Sequence, residues 1–326
     1  MGTAFISLYN YSANILRAVG ESRIPLLCLV VAVILNIFLD ILFVHTFSMG
    51  LRGAAHATNI AQCIAGVLCM AYLLFRFREL VPKGQEWQVQ RRKYQEMTVF
   101  GISLGMMSCF VSIGTVIFQT AVNRLGTKIV TAHIAARRIE ELTNVPMLCT
   151  GMAMTTYASQ NLGAGEYDRI KKGIHQAFVI VLVQGVIFTT FCWIFGHPLI
   201  RWITSSNDTY ILDTAYRYLT RNTSFYFVLG PLFVLRCSLQ GLEHKVIPVA
   251  SSILELVLKI VSTIWIVPVL GYTGVIYTEP IIWIFMTLML IGGYVRALKQ
   301  INEAEHIKSA RNAKAENEKI NVDNRL

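Results

Sequence analysis

The sequence predicts an all-α polytopic membrane protein, and two observations lead to this fold class. The first is composition, because 54% of the 326 residues are hydrophobic, only 15% are charged, and the mean hydropathy is +0.52. These values exclude an ordinary soluble globule. The second is pattern: the apolar residues form long continuous runs, unlike the short alternating segments of a transmembrane β-barrel.

Nine apolar runs are long enough to cross a bilayer at about 1.5 Å per helical residue. They cover residues 3–19, 25–46, 54–76, 97–121, 130–159, 173–196, 222–241, 246–269 and 273–296. The first run carries several polar side chains, Asn14 among them, and this load suits a helix that faces a cavity. Gly230 and Pro231 are predicted to interrupt the run 222–241, as in the broken helices that line transporter cavities.

An internal repeat organises the runs. The stretches LRAVGESRIP (16–25) and LQGLEHKVIP (239–248) align without gaps, and each is followed by a span and then a Gly-x-x-Gly turn. The copies lie six spans apart, so they are predicted to run in the same direction and to be related by an axis along the membrane normal. The second copy has six spans and the first has three, which predicts that three helices are missing from the front.

The repeat predicts a division into lobes. The segments are a partial N-terminal lobe at 1–76, a cytoplasmic linker at 77–96, a complete C-terminal six-helix lobe at 97–296 and a cytoplasmic tail at 297–326. The linker is basic and amphipathic enough to lie on the membrane surface.

The formal net charge of +10 is explained by topology, without a nucleic-acid partner. When the loops are assigned alternately to the two sides, twenty basic residues fall on the side of the linker and the tail, against six on the other side. The positive-inside rule makes the first side cytoplasmic. The chain is therefore predicted to be a multi-pass protein of the plasma (cytoplasmic) membrane with its C-terminus in the cytoplasm.

Asn36 and Asp40 are the most costly residues to place, because both lie inside the apolar run 25–46. Four residues apart on a helix, they share one face about 6 Å from each other. A carboxylate at that depth costs about 3 kcal/mol or more unless it meets a partner or a wet cavity, so it indicates function. The alternative is that Asp40 is protonated, or is paired with a neighbouring helix for packing alone.

A stripe of small and polar residues follows one helical face of the run 97–121. It comprises Gly101, Gly105, Ser108, Ser112, Thr115, Gln119 and, just beyond the run, Asn123. Small residues favour close helix packing, so a helix interface is the first interpretation. Gln119 and Asn123 exceed what packing needs, and they favour a cavity wall at that end of the helix.

Two further groups of charges lie inside apolar runs. Arg137, Arg138, Glu140 and Glu141 can pair with opposite charges three or four positions away, and Glu255 and Lys259 are also four apart. We interpret both groups as structural ion pairs, since a buried pair can be neutral in energy while the loss of one partner is costly.

Taken together, the chain resembles the multidrug and toxic compound extrusion (MATE) family, in its DinF-like branch. The resemblance rests on the two repeat stretches already quoted, on LNIFLD (35–40), on GLRGAAHAT (50–58) and on ASQNLGAGEYDRIKKG (158–173). It implies two parallel-repeat six-helix lobes and drug export driven by inward flow of H⁺ or Na⁺. It also implies a coupling-cation site at Asn36, Asp40 and Thr58, with a further Asp from a first helix that this chain lacks.

The leading hypothesis is a cation-coupled antiporter that exports organic cations, with Asn14, Gln119 and Asn123 as substrate contacts. It needs no cofactor besides the coupling H⁺ or Na⁺, and the sequence predicts no metal site. A flippase for lipid-linked oligosaccharides of the same superfamily is an alternative, as is a non-transporting fragment with a missing three-helix partner. An enzyme is not expected, because the seven histidines show no HExxH or paired ligand spacing.

Overall fold

The structure is a computed structural model. It describes residues 2–80, 84, 90–244 and 246–323. The described residues form helices and connecting turns with no strand, which confirms the predicted all-α class. By contact clustering the chain divides into unit 1, Met1–Tyr94, and unit 2, Gln95–Leu326.

Unit 1 contains three helices. They are α1 (Gly2–Ala18), α2 (Arg23–Asp40) with a π-helical turn after it (Ile41–Thr46), and α3 (Gly50–Arg76) with a 3₁₀ turn after it (Arg78–Leu80). α3 packs against both α1 and α2, and its buried face is built from small residues that include Ala57, Ala61 and Ala65. A Cβ at Gly66 would lie 3.2 Å from the backbone nitrogen of Tyr9, so a glycine there lets α1 and α3 approach closely.

Unit 2 contains the remaining helices. They are α4 (Arg91–Asn123, whose first turn belongs to unit 1), α5 (Thr127–Ala164), α6 (Tyr167–Thr204), α7 (Thr209–Thr223), α8 (Tyr226–Gly241), α9 (Val246–Val261), α10 (Val267–Leu270) and α11 (Tyr272–Asp323), with a π-helical turn (Ser262–Ile266) between α9 and α10. The core forms two clusters of buried side chains, one around Tyr226 and Leu235 and the other around Tyr218 and Ile276. α5 contributes to both clusters and therefore occupies the centre of the unit.

The two copies of the internal repeat adopt matching conformations. In the first copy a π-helical turn at Ile41–Thr46 follows α2, and in the second copy a π-helical turn at Ser262–Ile266 follows α9. Each then reaches a Gly-x-x-Gly turn whose first glycine has positive φ, 56° at Gly50 and 57° at Gly271. L-residues with a Cβ rarely adopt this conformation, which explains the glycine at both positions.

Eight of the nine apolar runs lie within helical segments to within one residue, and the run 222–241 crosses the turn between α7 and α8. Six helices of the described chain meet both the length and the hydropathy expected of a membrane span. α1 and α8 are too short, and α5 is too polar. The polar side chains of α5 include Glu140 and His133, which are both buried inside unit 2.

Two local predictions need correction. α8 runs unbroken through Gly230 and Pro231, and the helix break lies earlier, at Ser224 and Phe225. Gly230 serves packing instead, because a Cβ there would lie 2.9 Å from Val181 Cβ on α6. The predicted linker 77–96 also ends early, since residues from Arg91 onwards belong to α4, while most of 81–89 lies outside the described residues.

An exposed ion pair ties the loop before α7 to the start of α5. Lys128 Nζ lies 2.8 Å from Asp208 Oδ2, while Asp208 Oδ1 accepts a hydrogen bond from the amide of Tyr210 and caps α7. The hydrogen bond from Lys128 is the main reason that the pKa of Asp208 lies below its ordinary value. Because the folded-state pKa of Asp208 is lowered, ionised Asp208 stabilises the fold. This contribution is fully present above the unfolded-state pKa of the carboxyl and is lost as the pH falls through its folded-state pKa.

We therefore expect the Asp208→Ala variant to loosen the first turn of α7 at neutral pH, as acid does in the parent. Hydrogen–deuterium exchange of peptides that cover 205–212, compared between parent and variant at the same pH, measures this. Asp168→Ala removes an exposed acid at the start of α6 and serves as the control. Equal exchange in parent and Asp208→Ala would mean that neither the cap nor the pair stabilises α7.

Candidate functional site: two intramembrane polar clusters

The predicted coupling residues lie in unit 1, where α2 meets α3. Asn36 Nδ2 donates a hydrogen bond to Thr58 Oγ1 at 3.4 Å, and the Thr58 hydroxyl donates in turn to the carbonyl of Ala54 at 3.0 Å. Asp40 follows one turn after Asn36 and is the last residue of α2 before the π-helical turn. The structure thus brings Asn36 and Thr58 into contact across two helices.

The carboxyl group of Asp40 has one buried oxygen, Oδ1, that makes no hydrogen bond to any residue that the structure describes. Nearly all buried polar atoms are paired in native proteins, so an orphaned carboxylate oxygen requires an explanation. The Asn36–Thr58 bond uses the amide nitrogen, which leaves Asn36 Oδ1 as an acceptor on the same helix. Two such oxygens, one of them charged, suit a proton or a hard cation such as Na⁺.

Of the three proposed substrate contacts, Asn14 and Asn123 are exposed and Gln119 is half-buried, each within its own unit. In unit 1, Asn14 Oδ1 accepts a hydrogen bond from Arg17 at 2.9 Å. In unit 2, Gln119 Nε2 donates to Asn123 Oδ1 at 2.9 Å across one turn of α4. All three therefore remain accessible to a ligand.

The small-residue stripe of α4 contacts another helix at Thr115, which accepts a hydrogen bond from Lys259 on α9, but not at Gly101 or Gly105 among the described residues. A Cβ added at Gly101 or Gly105 would meet no atom within 4 Å. α4 packs instead through a different face, which includes Gly114 and Phe118. Gly101 and Gly105 therefore have no packing partner in the part of the chain that the structure describes.

Unit 2 contains a second polar cluster, here called the buried ion network. It comprises Arg137 and Glu140 on α5, Glu255 and Lys259 on α9, and Glu279 on α11. Arg137 lies 3.2 Å from Glu140 and 4.0 Å from Glu279, while Lys259 lies 2.9 Å from Glu255 and 3.4 Å from Glu279. Charges of opposite sign thus alternate across three helices, and Glu279 joins the two ion pairs that the sequence predicted separately.

Burial makes this network energetically demanding. Glu140 is fully buried, and Lys259, Glu255 and Glu279 are each less than a tenth exposed. Glu140 Oε2 also accepts a hydrogen bond from Tyr218 at 3.1 Å, whereas its Oε1 has no partner among the described residues. Ions in such surroundings persist only when they are paired and hydrogen-bonded, so the members of the network depend on each other.

α4 and α8 complete the surroundings of the network. Lys259 Nζ donates to Thr115 Oγ1 on α4 at 3.2 Å, and a Cβ at Gly114 would lie 3.1 Å from Lys259 Cδ, so a glycine there leaves room for the lysine. On α8, Arg236 donates to Ser252 Oγ on α9. Arg236 lies in the last two turns of α8, within the predicted run 222–241.

Sequence reasoning did not single out Glu279. The signal was available, because Glu279 is an acid within the apolar run 273–296, as Asp40 is within 25–46. It has no oppositely charged residue three or four positions away on its own helix, so the search for pairs along a helix passed over it. Its partners come from α5 and α9, and only the packing reveals them.

Comparison with known proteins places these clusters in context. Residues 104–265 match the sequence profile of the MatE family. A protein of Bacillus subtilis (strain 168) named probable multidrug resistance protein YpnP is 27% identical over 270 residues, which cover 82% of this chain and 57% of that protein. A protein of Thermotoga maritima named probable multidrug resistance protein NorM is 27% identical over 215 residues, which cover 63% of this chain and 45% of that protein. The chain thus spans about half the length of these relatives.

A solved structure shares the fold. It is described as the outward-facing conformation of a multidrug resistance MATE family transporter of the MOP superfamily, and it matches with a TM-score of 0.82 at 22% identity. The match covers 93% of this chain and 68% of that one. These relatives are named as transporters or drug-resistance proteins, in agreement with the prediction that the chain is not an enzyme.

Proposed function

Because this chain belongs to the MatE family of membrane transporters, we propose that it exports organic cations from the cytoplasm in exchange for H⁺ or Na⁺. It acts in the plasma membrane as a multi-pass protein. The names of the relatives support multidrug efflux as the activity. The coupling ion and the class of substrate are our additions, and they rest on the two observations that follow.

The environment of Asp40 carries the coupling part of the proposal. A carboxylate with one buried oxygen unpaired is costly inside a membrane helix, and binding of H⁺ or Na⁺ removes that cost. Asn36 and Thr58 already touch across α2 and α3, so an ion held by Asp40 and Asn36 Oδ1 stabilises one packing of this helix pair. Coupling follows if the ion binds one conformation more tightly than the other, because a ligand shifts an equilibrium only by its differential affinity.

The π-helical turn directly after Asp40 supports a conformational role for this position. π-helical turns are uncommon and often occur at functional sites. The turn interrupts the regular hydrogen-bonding pattern of the α-helix where the ion would bind. The loss of charge at Asp40 and the rearrangement of the helix would then occur within one turn of each other.

Asn14, Gln119 and Asn123 supply the substrate-contact part of the proposal. Each carries an uncharged amide, exposed at Asn14 and Asn123 and half-buried at Gln119. Exposed amides provide hydrogen-bond acceptors to a drug without adding fixed charge. We propose that each contacts substrate from its own unit.

Efflux of a fluorescent organic cation tests the function. Cells or proteoliposomes that contain the protein are loaded with the dye, and an inward H⁺ or Na⁺ gradient is imposed in separate experiments. We expect one of the two gradients to accelerate efflux relative to membranes without the protein. Efflux that responds to neither gradient would contradict ion coupling, and no efflux under any gradient would contradict the function itself.

The cytoplasmic location of the C-terminus is a further prediction. Single cysteines introduced at Glu79 and Glu303 should react with an impermeant maleimide only after the cells are opened, whereas one at Asn207 should react in intact cells. All three positions are exposed, and the parent protein gives the background from its own thiols. Labelling of Glu79→Cys or Glu303→Cys in intact cells would contradict the predicted cytoplasmic location of these positions.

A further inference from the structure

A groove between α6 and α7 lies wholly within unit 2. Its residues have no role in the proposed export function. Its volume is about 540 Å³. Its lining includes Trp193 from α6, Asp213, Arg217, Thr220 and Arg221 from α7, and Ser224 directly after α7. A groove lined by two arginines, an acid and hydroxyl groups is unsuited to acyl chains alone, so its position relative to the bilayer decides what it can bind.

The groove lies at a membrane–water interface. The apolar part of α6 extends over residues 177–196, a length of about 30 Å that matches the hydrocarbon core of a bilayer. His197 is the first residue beyond it, and the ring of Tyr216 on α7 stacks on His197 with the centroids 4.0 Å apart. The middle of α7 is therefore level with the end of the apolar part of α6, and Trp193 lies one turn further in, as interfacial tryptophans do.

The two arginines provide donors for an anion. Arg217 and Arg221 are one turn apart on α7, and both side chains are exposed. Neither has a carboxylate within 4.0 Å in the described part of the chain, although Asp213 is on the same helix. Guanidinium groups bind phosphate oxygens through paired, charge-assisted hydrogen bonds.

The groove also provides acceptors. The hydroxyl of Thr220 donates to the carbonyl of Tyr216 at 2.8 Å, and that of Ser224 donates to the carbonyl of Thr220 at 2.7 Å, so the lone pairs of both oxygens remain available to an outside donor. Asp213 Oδ1 lies 4.0 Å from His197 Nε2 at the outermost part of the groove. A carboxylate in that position suits an ammonium group.

We propose that this groove binds the headgroup of a phospholipid that carries a primary amine, such as phosphatidylethanolamine. The order of residues along α7 matches the order of groups along the lipid. Asp213 lies nearest the water, and Arg217 and Arg221 follow it at steps of about 6 Å towards the hydrocarbon. The lipid likewise has its amine outermost and its phosphate between the amine and the acyl chains. Trp193 and the exposed apolar face of α6 then lie beside the chains.

The chemistry of the site excludes simpler ligands. A free phosphate ion would satisfy the arginines but would leave Asp213 as a repulsive neighbour, and phosphatidylglycerol would bring no ammonium to it. Phosphatidylcholine carries a quaternary ammonium that donates no N–H hydrogen bond to a carboxylate. The groove should therefore prefer the primary amine to all three.

Lipid retention tests the proposal on the purified protein. Native mass spectrometry of the protein in detergent is carried out with phosphatidylethanolamine, phosphatidylglycerol, phosphatidylcholine and inorganic phosphate, each added separately. We expect phosphatidylethanolamine to be retained most strongly. In Arg217→Gln/Arg221→Gln its affinity should fall by about tenfold or more, because the phosphate loses its charged hydrogen-bond donors. Arg201→Gln removes an exposed arginine of α6 that does not line the groove, and it should retain the lipid.

A second variant separates recognition of the amine from general anion binding. Asp213→Asn should reduce the preference for phosphatidylethanolamine over phosphatidylglycerol while both lipids still bind. Because it changes one residue only, it keeps the proposal testable if the double variant does not fold. Circular dichroism and size-exclusion chromatography check that each variant is folded. Equal retention of all three lipids by the parent, unchanged retention in the double variant, or binding of inorganic phosphate that displaces the lipid would each overturn the proposal. None of these results depends on drug efflux.

Discussion

Replacement of Asp40 by asparagine is expected to abolish ion-driven efflux and to leave the protein folded. The amide keeps the shape of the side chain and removes the charge that binds H⁺ or Na⁺. Thr58→Ala and Asn36→Ala each remove an uncharged ligand, so we expect them to weaken coupling less. The measurement is the rate of dye efflux with and without an imposed gradient, in proteoliposomes that contain equal amounts of each variant.

Asp168→Asn is the matched control for this experiment. It makes the same chemical change at an exposed acid in the first turn of α6, where Asp168 lies 3.8 Å from Lys171. Efflux should then respond to the gradient as in the parent. Gradient-dependent efflux that persists in Asp40→Asn at the parental rate would make Asp40 a packing residue, which is the alternative that the sequence left open.

The largest effect on stability is expected from Arg137→Gln. Arg137 is the cation between Glu140 and Glu279, so its loss leaves two buried carboxylates with fewer partners. Removal of one partner from a buried ion pair typically costs about 3–5 kcal/mol, which is a large fraction of the roughly 5–15 kcal/mol that stabilises a native protein. We expect a marked fall in thermal stability in detergent and poor recovery on purification.

Arg138→Gln provides the comparison, because Arg138 is the next residue on α5 and is exposed. It should change the unfolding temperature little, since exposed charges contribute about 0–1 kcal/mol. A double-mutant cycle between Arg137→Gln and Glu279→Gln then isolates the interaction between the two residues. If Arg137→Gln and Arg138→Gln have equal thermal stability, the buried ion network does not hold unit 2 together.

The helices could be predicted from the sequence because the signal for each is local. A run of about twenty apolar residues satisfies its backbone hydrogen bonds internally, and inside a bilayer a helix is the simplest structure that does so. Eight of the nine runs therefore corresponded to helical segments, and the spacing of Asn36 and Asp40 placed them on one face without any knowledge of packing. The i,i+4 pair Glu255–Lys259 and the i,i+3 pair Arg137–Glu140 were likewise readable from one helix each.

Contacts between helices were not readable in this way. Thr58 was proposed only through a family resemblance, and its contact with Asn36 depends on how α2 packs against α3. Glu279 was passed over because both of its partners lie on other helices. The exposed state of Gly101 and Gly105 also could not be inferred, since a small-residue stripe favours close packing only where a second helix is present.

The sequence by itself determined that the chain is helical and membrane-embedded, that it contains a repeat, and that an Asn and an Asp share one face of an apolar helix. Each of these follows from spacing along one segment. The tertiary structure alone decided that one oxygen of Asp40 is buried without a partner among the described residues, that Glu279 joins two ion pairs into one network, and that Arg217 and Arg221 face a groove beside Trp193. The physical reason is that the energy of a charge in a membrane protein depends on what packs around it, and residues far apart in sequence provide those surroundings.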